Sequence, residues 1–337
     1  MRLAAFAAIA AGLPGHLGIG VADQPGGAAK VRDLDYRYQY LAGGVNTGNG
    51  WATWNPNGSF VTGYIRESRA ARVVPVFTYY QLLQSRGAGG DEAQADIAHL
   101  RDAALMKAYW ADLELFLRRA RGRTRVVLHV EPDLWGYLEQ AGERRLAASF
   151  ARRVIALRNR LARNVALAYH DSVWGTKEDP TLSNPSLAHM TTLGGRSARF
   201  YRSLRARFDL VFHDVADRDA GFREHILGDG GASRWDAADF ARRERYLRAL
   251  RRGTHRPVVV WQIPLGNSTL ADTWGHFRDN RVESWLGDRR ALTRLRDAGV
   301  VALMFGAGAD GNTTAQSDGG LFFRLARAYE RAPLRLR

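Results

Sequence analysis

The sequence predicts an α/β fold in one domain, a (β/α)8 or TIM barrel, on three observations. Eight apolar runs of strand length are spaced along 337 residues, most gaps between them carry an amphipathic helical pattern, and no repeat, linker or low-complexity tract divides the chain. Strands alternating with helices of this length pair in parallel through right-handed crossovers. Eight such units suit a closed barrel better than an open doubly wound sheet. The first run is also not followed by the G-x-G-x-x-G that would mark a dinucleotide site in an open sheet.

In chain order the runs are HLGIGVA (16–22), YRYQYLAGG (36–44), VVPVFTYYQ (73–81), RVVLHVEPD (125–133), VALAYHD (165–171), LVFHDVAD (210–217), PVVVWQIPLG (257–266) and VVALMFGAG (300–308). Helical patterns fill the gaps, among them SFVTGYIRESRAAR, the long AQADIAHLRDAALMKAYWADLELFLRRA, ERRLAASFARRVIALRNRLAR, SARFYRSLRARF, DAADFARRERYLRALRRG, RALTRLRDAG and GGLFFRLARAYERA. Each sets apolar residues three and four apart, with arginines on the opposite face. The gap at 23–35 is short and glycine-rich, so the first crossover is degenerate. Ahead of the barrel (16–337), the opening MRLAAFAAIAAGLPG (1–15) reads as a short secretory signal or an apolar lead-in.

Composition narrows the function classes. With 46% hydrophobic and 25% charged residues, the chain has the balance of a globular protein with a sizeable core. The net charge of +15 comes almost wholly from arginine, since only Lys30, Lys107 and Lys177 are lysines. These arginines fall on the polar faces of helical patterns, not in one patch, and no nucleic-acid motif accompanies them. No nucleic-acid partner is therefore expected. The absence of cysteine removes disulfides, thiolate nucleophiles and cysteine metal sites. Beyond the opening segment, no apolar run is long enough to span a membrane.

In a (β/α)8 barrel the carboxyl ends of the strands converge on the active site. Here those ends are polar and aromatic where the strand starts are mostly Val, Leu or Arg. Alternation in the fourth run puts Val127, His129 and Glu131 on one face and Val126, Leu128 and Val130 on the other. The aliphatic set should meet the helices, so Glu131 is expected to point into the barrel mouth with His129 one layer deeper. Pro132 ends the ladder and Asp133 starts the loop. His170-Asp171 and His213-Asp214 repeat a His-Asp doublet in the fifth and sixth runs, and in a regular strand only one member of each doublet can face the axis. Aromatic residues, including Tyr79, Tyr80, Trp135, Trp174, Trp261 and Trp274, gather at or beyond strand ends. A rim mixing aromatic rings with Asn, Gln, Asp and His suits a carbohydrate. Two carboxyls in such a cleft, one protonated and one ionised, suit glycosidic bond hydrolysis.

On these residues the chain resembles the (β/α)8-barrel glycoside hydrolases. The widespread retaining clan carries one glutamate at the end of the fourth strand, which Glu131 matches, and another at the end of the seventh, where VVVWQIP places Gln262. VEPDLW is also similar to the EPD segment of the family-six cellulases, and YHDSVWG resembles the segment that follows it there. The resemblance implies a secreted or cell-envelope glycoside hydrolase acting on a poly- or oligosaccharide, monomeric and without cofactor or metal. Glu131 is the expected general acid/base and Asp214 or Asp171 the second carboxylate. His129, His170, His213, Tyr79, Trp174, Trp261, Gln262 and Asn267 are expected to tune the site or bind sugar.

Two other classes remain open at this level. A metal-dependent barrel hydrolase would use His129, Glu131, His170, Asp171, His213 and Asp214 as ligands. A non-catalytic barrel would bind glycan without cleaving it. The loop GAGADGNTTAQSDGG offers Asp310, Asn312 and Asp318 to a calcium ion, but lacks the twelve-residue calcium-loop pattern.

Overall fold

A computed structural model describes residues 12–306 and 308–337; residues 1–11 of the apolar opening lie outside the described residues. Eight parallel strands close a barrel in sequence order, each pairing with the next and the last with the first. They are β1 (Gly18–Ala22), β2 (Tyr36–Ala42), β3 (Val74–Tyr80), β4 (Val126–Val130), β5 (Val165–Asp171), β6 (Leu210–Asp214), β7 (Val258–Ile263) and β8 (Val300–Phe305). All eight expected runs are strands. Some of their polar carboxyl ends stay in the ladder, His170–Asp171 in β5 and His213–Asp214 in β6, while the residues after β4, Glu131 to Asp133, leave it as rim loop.

Alternation sorts the side chains into two layers. Tyr38, Val76, Val127, Ala168, Phe212, Val259 and Met304 fill the barrel interior. Phe77, Leu128, Leu167 and Val211 face the opposite way and pack with Leu113 and Phe116 of the Ala103–Ala120 helix and Val154 of the Arg144–Leu161 helix.

The helices follow the sequence patterns, with one break. The long 93–120 pattern divides at Asp102, whose side chain accepts from Ala104 N and Leu105 N and so starts the Ala103–Ala120 helix directly after Glu92–Arg101. Asp91 and Asp236 open the Glu92–Arg101 and Ala237–Thr254 helices with capping boxes. The first crossover holds only a short 3-10 turn, Ala28–Lys30. Arg37 of β2 is covered instead by Tyr64, whose ring lies 3.9 Å from the guanidinium, and pairs with Asp23 at 2.8 Å and Glu67 at 3.2 Å.

Candidate active site

A cavity of about 810 Å³ opens at the carboxyl ends of the strands. Asp133, Asp214, Tyr80, Trp174, Trp261 and Gln262 line it, with Glu92, Tyr137, Asp179 and Arg243 further round.

Glu131 does not line the cavity, and this corrects the expectation drawn from alternation. Its N–H still bonds Tyr79 O at 2.7 Å, continuing the ladder, but its φ of +44° breaks the regular strand geometry. The side chain is 1% exposed and accepts from the backbone N–H of Gln81, at 3.1 Å to Oε2, and of Leu82, at 3.2 Å. Burial pushes its carboxyl well above the ordinary range and nearby Asp96 adds to the rise, against the two backbone donors and the Tyr109 hydroxyl. Glu131 thus ties the end of β4 to the loop after β3.

Asp133, two residues on, occupies the cavity instead. Its φ of +70° and ψ of −46°, with Leu134 N donating to Pro132 O at 2.9 Å, make a three-residue γ-turn of the rare positive-φ hand. Such a conformation costs on the order of 1–3 kcal/mol, and strain of this kind concentrates at functional sites. Tyr80 donates its hydroxyl to Asp133 Oδ2 at 3.2 Å.

The two His-Asp doublets divide as strand parity requires. In β5, His170 faces the interior and Asp171 the helices; in β6, whose register sets Asp171 beside His213, the helix-facing residue is the histidine and Asp214 faces inward. Asp171 accepts from His213 Nδ1 at 2.8 Å and from the Tyr246 hydroxyl at 3.0 Å, away from the cavity. Arg243 in turn donates to His213 Nε2 at 2.8 Å, and it does reach the cavity wall. Asp171 and His213 therefore do not line the cavity, and Arg243 links them to its wall.

Inside the barrel a line of polar side chains runs from β3 to β6, hydrogen-bonded as far as β5. Thr78 Oγ1 lies 3.3 Å from His129 Nδ1, His129 Nε2 lies 2.9 Å from His170 Nδ1, and His170 Nε2 lies 3.6 Å from Asp214 Oδ1. One tautomer set suits the line: the Thr78 hydroxyl donates to His129 and His129 to His170, whose Nε2 then faces Asp214 Oδ1 beyond hydrogen-bond length. Burial pushes His129 well below the ordinary histidine range, reinforced by His170, so it stays neutral.

Of the aspartates on the cavity, Asp133 and Asp214 differ in charge preference. Burial raises the Asp133 carboxyl above the ordinary aspartate range; His170 opposes this and the charge of Asp214 adds to it. Burial acts the same way on Asp214, but the His170 ring beside it, with His213 and the Arg243 guanidinium, outweighs burial and holds Asp214 low. Asp133 therefore holds a proton more readily than Asp214.

The remaining expected residues separate in the same way. A register shift between Val260 and Ile263 and a φ of +51° at Gln262 turn both Trp261 and Gln262 to the cavity, where Gln262 Nε2 donates to Tyr40 Oη at 2.9 Å. Trp174 lines the wall, its ring 4.8 Å from that of Tyr137. Tyr79 lies in the helix layer and donates to Asp112 at 2.5 Å. Asn267 is buried and donates to Asp318 O at 2.7 Å, bracing rim loops and not lining the cavity. Trp135 is core, donating to Val130 O at 2.8 Å.

The six residues considered as metal ligands do not converge, since Glu131, Asp171 and His213 point out of the cavity. Among the described residues, the one set with three ligand atoms within 4.8 Å of one another is His16, Asp35 and Glu330, where β1 and β2 begin. In the suggested calcium loop, Asn312 accepts from Asp219 N and Asp318 from Gly320 N and Phe322 N, so both carry internal structure.

No protein-family model and no curated protein matches the chain. Among solved structures, 98% of the chain aligns with 74% of an endo-beta-1,4-mannanase double mutant from Cellulomonas fimi, at 12% identity and a TM-score of 0.59. A family 26 endo-beta-1,4-mannanase catalytic domain from Bacillus sp. JAMB-750 aligns over 97% of this chain and 88% of its own, at 12% identity and TM-score 0.59. For a glycoside hydrolase family 5 enzyme from Prevotella bryantii B14 the shares are 95% and 98%, at 9% identity and TM-score 0.59. The chain therefore has the (β/α)8 fold found in glycoside hydrolases of families 26 and 5, and the likeness is one of fold.

Proposed function

We propose that this barrel is a glycoside hydrolase in which Asp133 is the general acid and Asp214 the ionised partner. The observation that carries this reading is the pair itself: two carboxyls on one cavity whose surroundings push their proton affinities apart. Asp133 protonates the leaving glycosidic oxygen as the C–O bond breaks. Asp214 either attacks the anomeric carbon or takes a proton from the attacking water. His170 and Arg243 keep Asp214 charged, while His129 and Thr78 fix the His170 tautomer.

Trp174 and Tyr137 offer ring faces to sugar C–H groups, and Gln262 offers its carbonyl and amide to hydroxyls, while Trp261, 1% exposed, underlies the cavity. The open mouth suits a poly- or oligosaccharide chain. With the apolar opening segment read as a signal, the enzyme acts outside the cell or in its envelope, as a monomer.

The test is release of reducing ends from a panel of polysaccharides by the purified protein and by Asp133→Asn and Asp214→Asn. Hydrolysis by the wild type that both variants lose supports the assignment. Full turnover by either variant removes that residue from it. The anomeric configuration of the first product then tells whether Asp214 is nucleophile or base.

A further inference from the structure

A second polar line lies in the layer between the barrel and its helices, all of it buried. The Tyr246 hydroxyl donates to Asp171 Oδ2 at 3.0 Å, with Ser197 Oγ 2.8 Å behind it, and His213 Nδ1 donates to the same Asp171 oxygen at 2.8 Å. Arg243 donates to His213 Nε2 at 2.8 Å, and its guanidinium lies 5.1 Å from the Trp235 ring. On the cavity side the guanidinium is drawn to Asp214 and Asp179 and repelled by Arg281. Leu167, Val211 and Leu250 fill the same layer, and apolar side chains in place of the line would seal it at less cost than a buried carboxylate.

Resting on the hydrolase reading, we propose that Asp171, His213 and Tyr246 are positioning residues that hold the Arg243 guanidinium at the cavity wall, within electrostatic reach of Asp214. The His213 tautomer transmits the constraint. An ionised Asp171 only accepts, so it fixes a hydrogen on His213 Nδ1 and leaves the Nε2 lone pair to Arg243. The opposite tautomer sets N–H against N–H and releases the arginine. Because its acceptor is a neutral ring, Arg243 is oriented there without a carboxylate to neutralise it.

Asp171 thus works against its own charge. Acting directly, its carboxylate makes Asp214 harder to ionise; acting through Arg243, it makes Asp214 easier to ionise. The titratable groups facing Asp171 are His213, Tyr246, Tyr169 and Glu139, and those facing Asp214 are His170, His213, Arg243 and Asp133.

Carbon-13 NMR titration of the Asp214 carboxyl in the full chain, assigned by its loss in Asp214→Asn, tests the proposal without recourse to activity. Arg243→Met should raise the Asp214 midpoint by about one pH unit. Asp171→Asn should raise it by a smaller amount, and Tyr246→Phe, which removes a single hydroxyl and serves where Asp171→Asn folds poorly, should raise it less again. In the Arg243→Met background neither should raise it further. A midpoint that Asp171→Asn and Tyr246→Phe leave in place or lower, or a further rise in the Arg243→Met background, overturns the proposal. The two readings fail separately. Glycan hydrolysis that Asp133→Asn and Asp214→Asn lose, without the midpoint shift, keeps the hydrolase and removes the positioning line. The midpoint shift in a protein that releases no reducing ends does the reverse.

Discussion

His170 Nε2 stands 3.6 Å from Asp214 Oδ1 at the mouth of the barrel, and behind it His129 and Thr78 complete a line of donors all directed at that one carboxylate. Asp214 is thereby kept charged although it is largely removed from water, while Asp133, in the same cavity without such a donor line, gains a proton more easily.

Activity should depend on pH as a bell. Asp214 must be ionised, so the acid limb lies below the ordinary aspartate range. Asp133 must be protonated, so the alkaline limb lies above it. A kcat/KM profile on an aryl glycoside with a good leaving group checks this, because such a substrate needs little acid help. On it, Asp133→Asn should keep measurable turnover and lose the alkaline limb.

Replacing His170 by alanine removes the donor to Asp214, whose pKa should then rise under burial. The acid limb should move to higher pH and kcat/KM fall on the order of 100-fold. His129→Ala should move the limb the same way by a smaller amount. The same profile reads both, and an unmoved limb in His170→Ala would detach the donor line from the chemistry.

Trp174→Ala should weaken glycan binding about tenfold by removing one ring face from the wall. Affinity electrophoresis with the cleaved polysaccharide reads the change. Trp135→Ala, by contrast, should act on stability, lowering the unfolding free energy read from urea titration by about 3–5 kcal/mol as a core deletion does.

The barrel was legible because each strand is an apolar run closed by polar residues, and the degenerate first crossover because 23–35 is too short and glycine-rich for a helix. Parity in β5 and β6 was legible too: one member of each doublet faces inward, and these are His170 and Asp214. Two-residue alternation misplaced Glu131 because it holds only while φ stays in the strand region. At Glu131 φ becomes +44°, a conformation imposed by the amides of Gln81 and Leu82, which the chain brings there only on folding. Tyr79 and Tyr80 could have been told apart, since Val76, Thr78 and Tyr80 share the inner face of β3 while Tyr79 shares the outer face with Phe77. Arg243 had no local signal; only packing of the Ala237–Thr254 helix against the barrel brings it to His213.

Glu131 and Asp133 are two residues apart and play different parts, so comparing Glu131→Gln with Asp133→Asn is the most direct measurement. Each purified variant is assayed for glycan hydrolysis per folded molecule, with stability read from urea unfolding. Glu131→Gln should lose about 1–3 kcal/mol of stability, as its amide presents donors to the N–H groups of Gln81 and Leu82, yet still turn over. Asp133→Asn should stay folded and lose hydrolysis of natural glycans. An inactive, stably folded Glu131→Gln beside an active Asp133→Asn would contradict the assignment of the acid to Asp133.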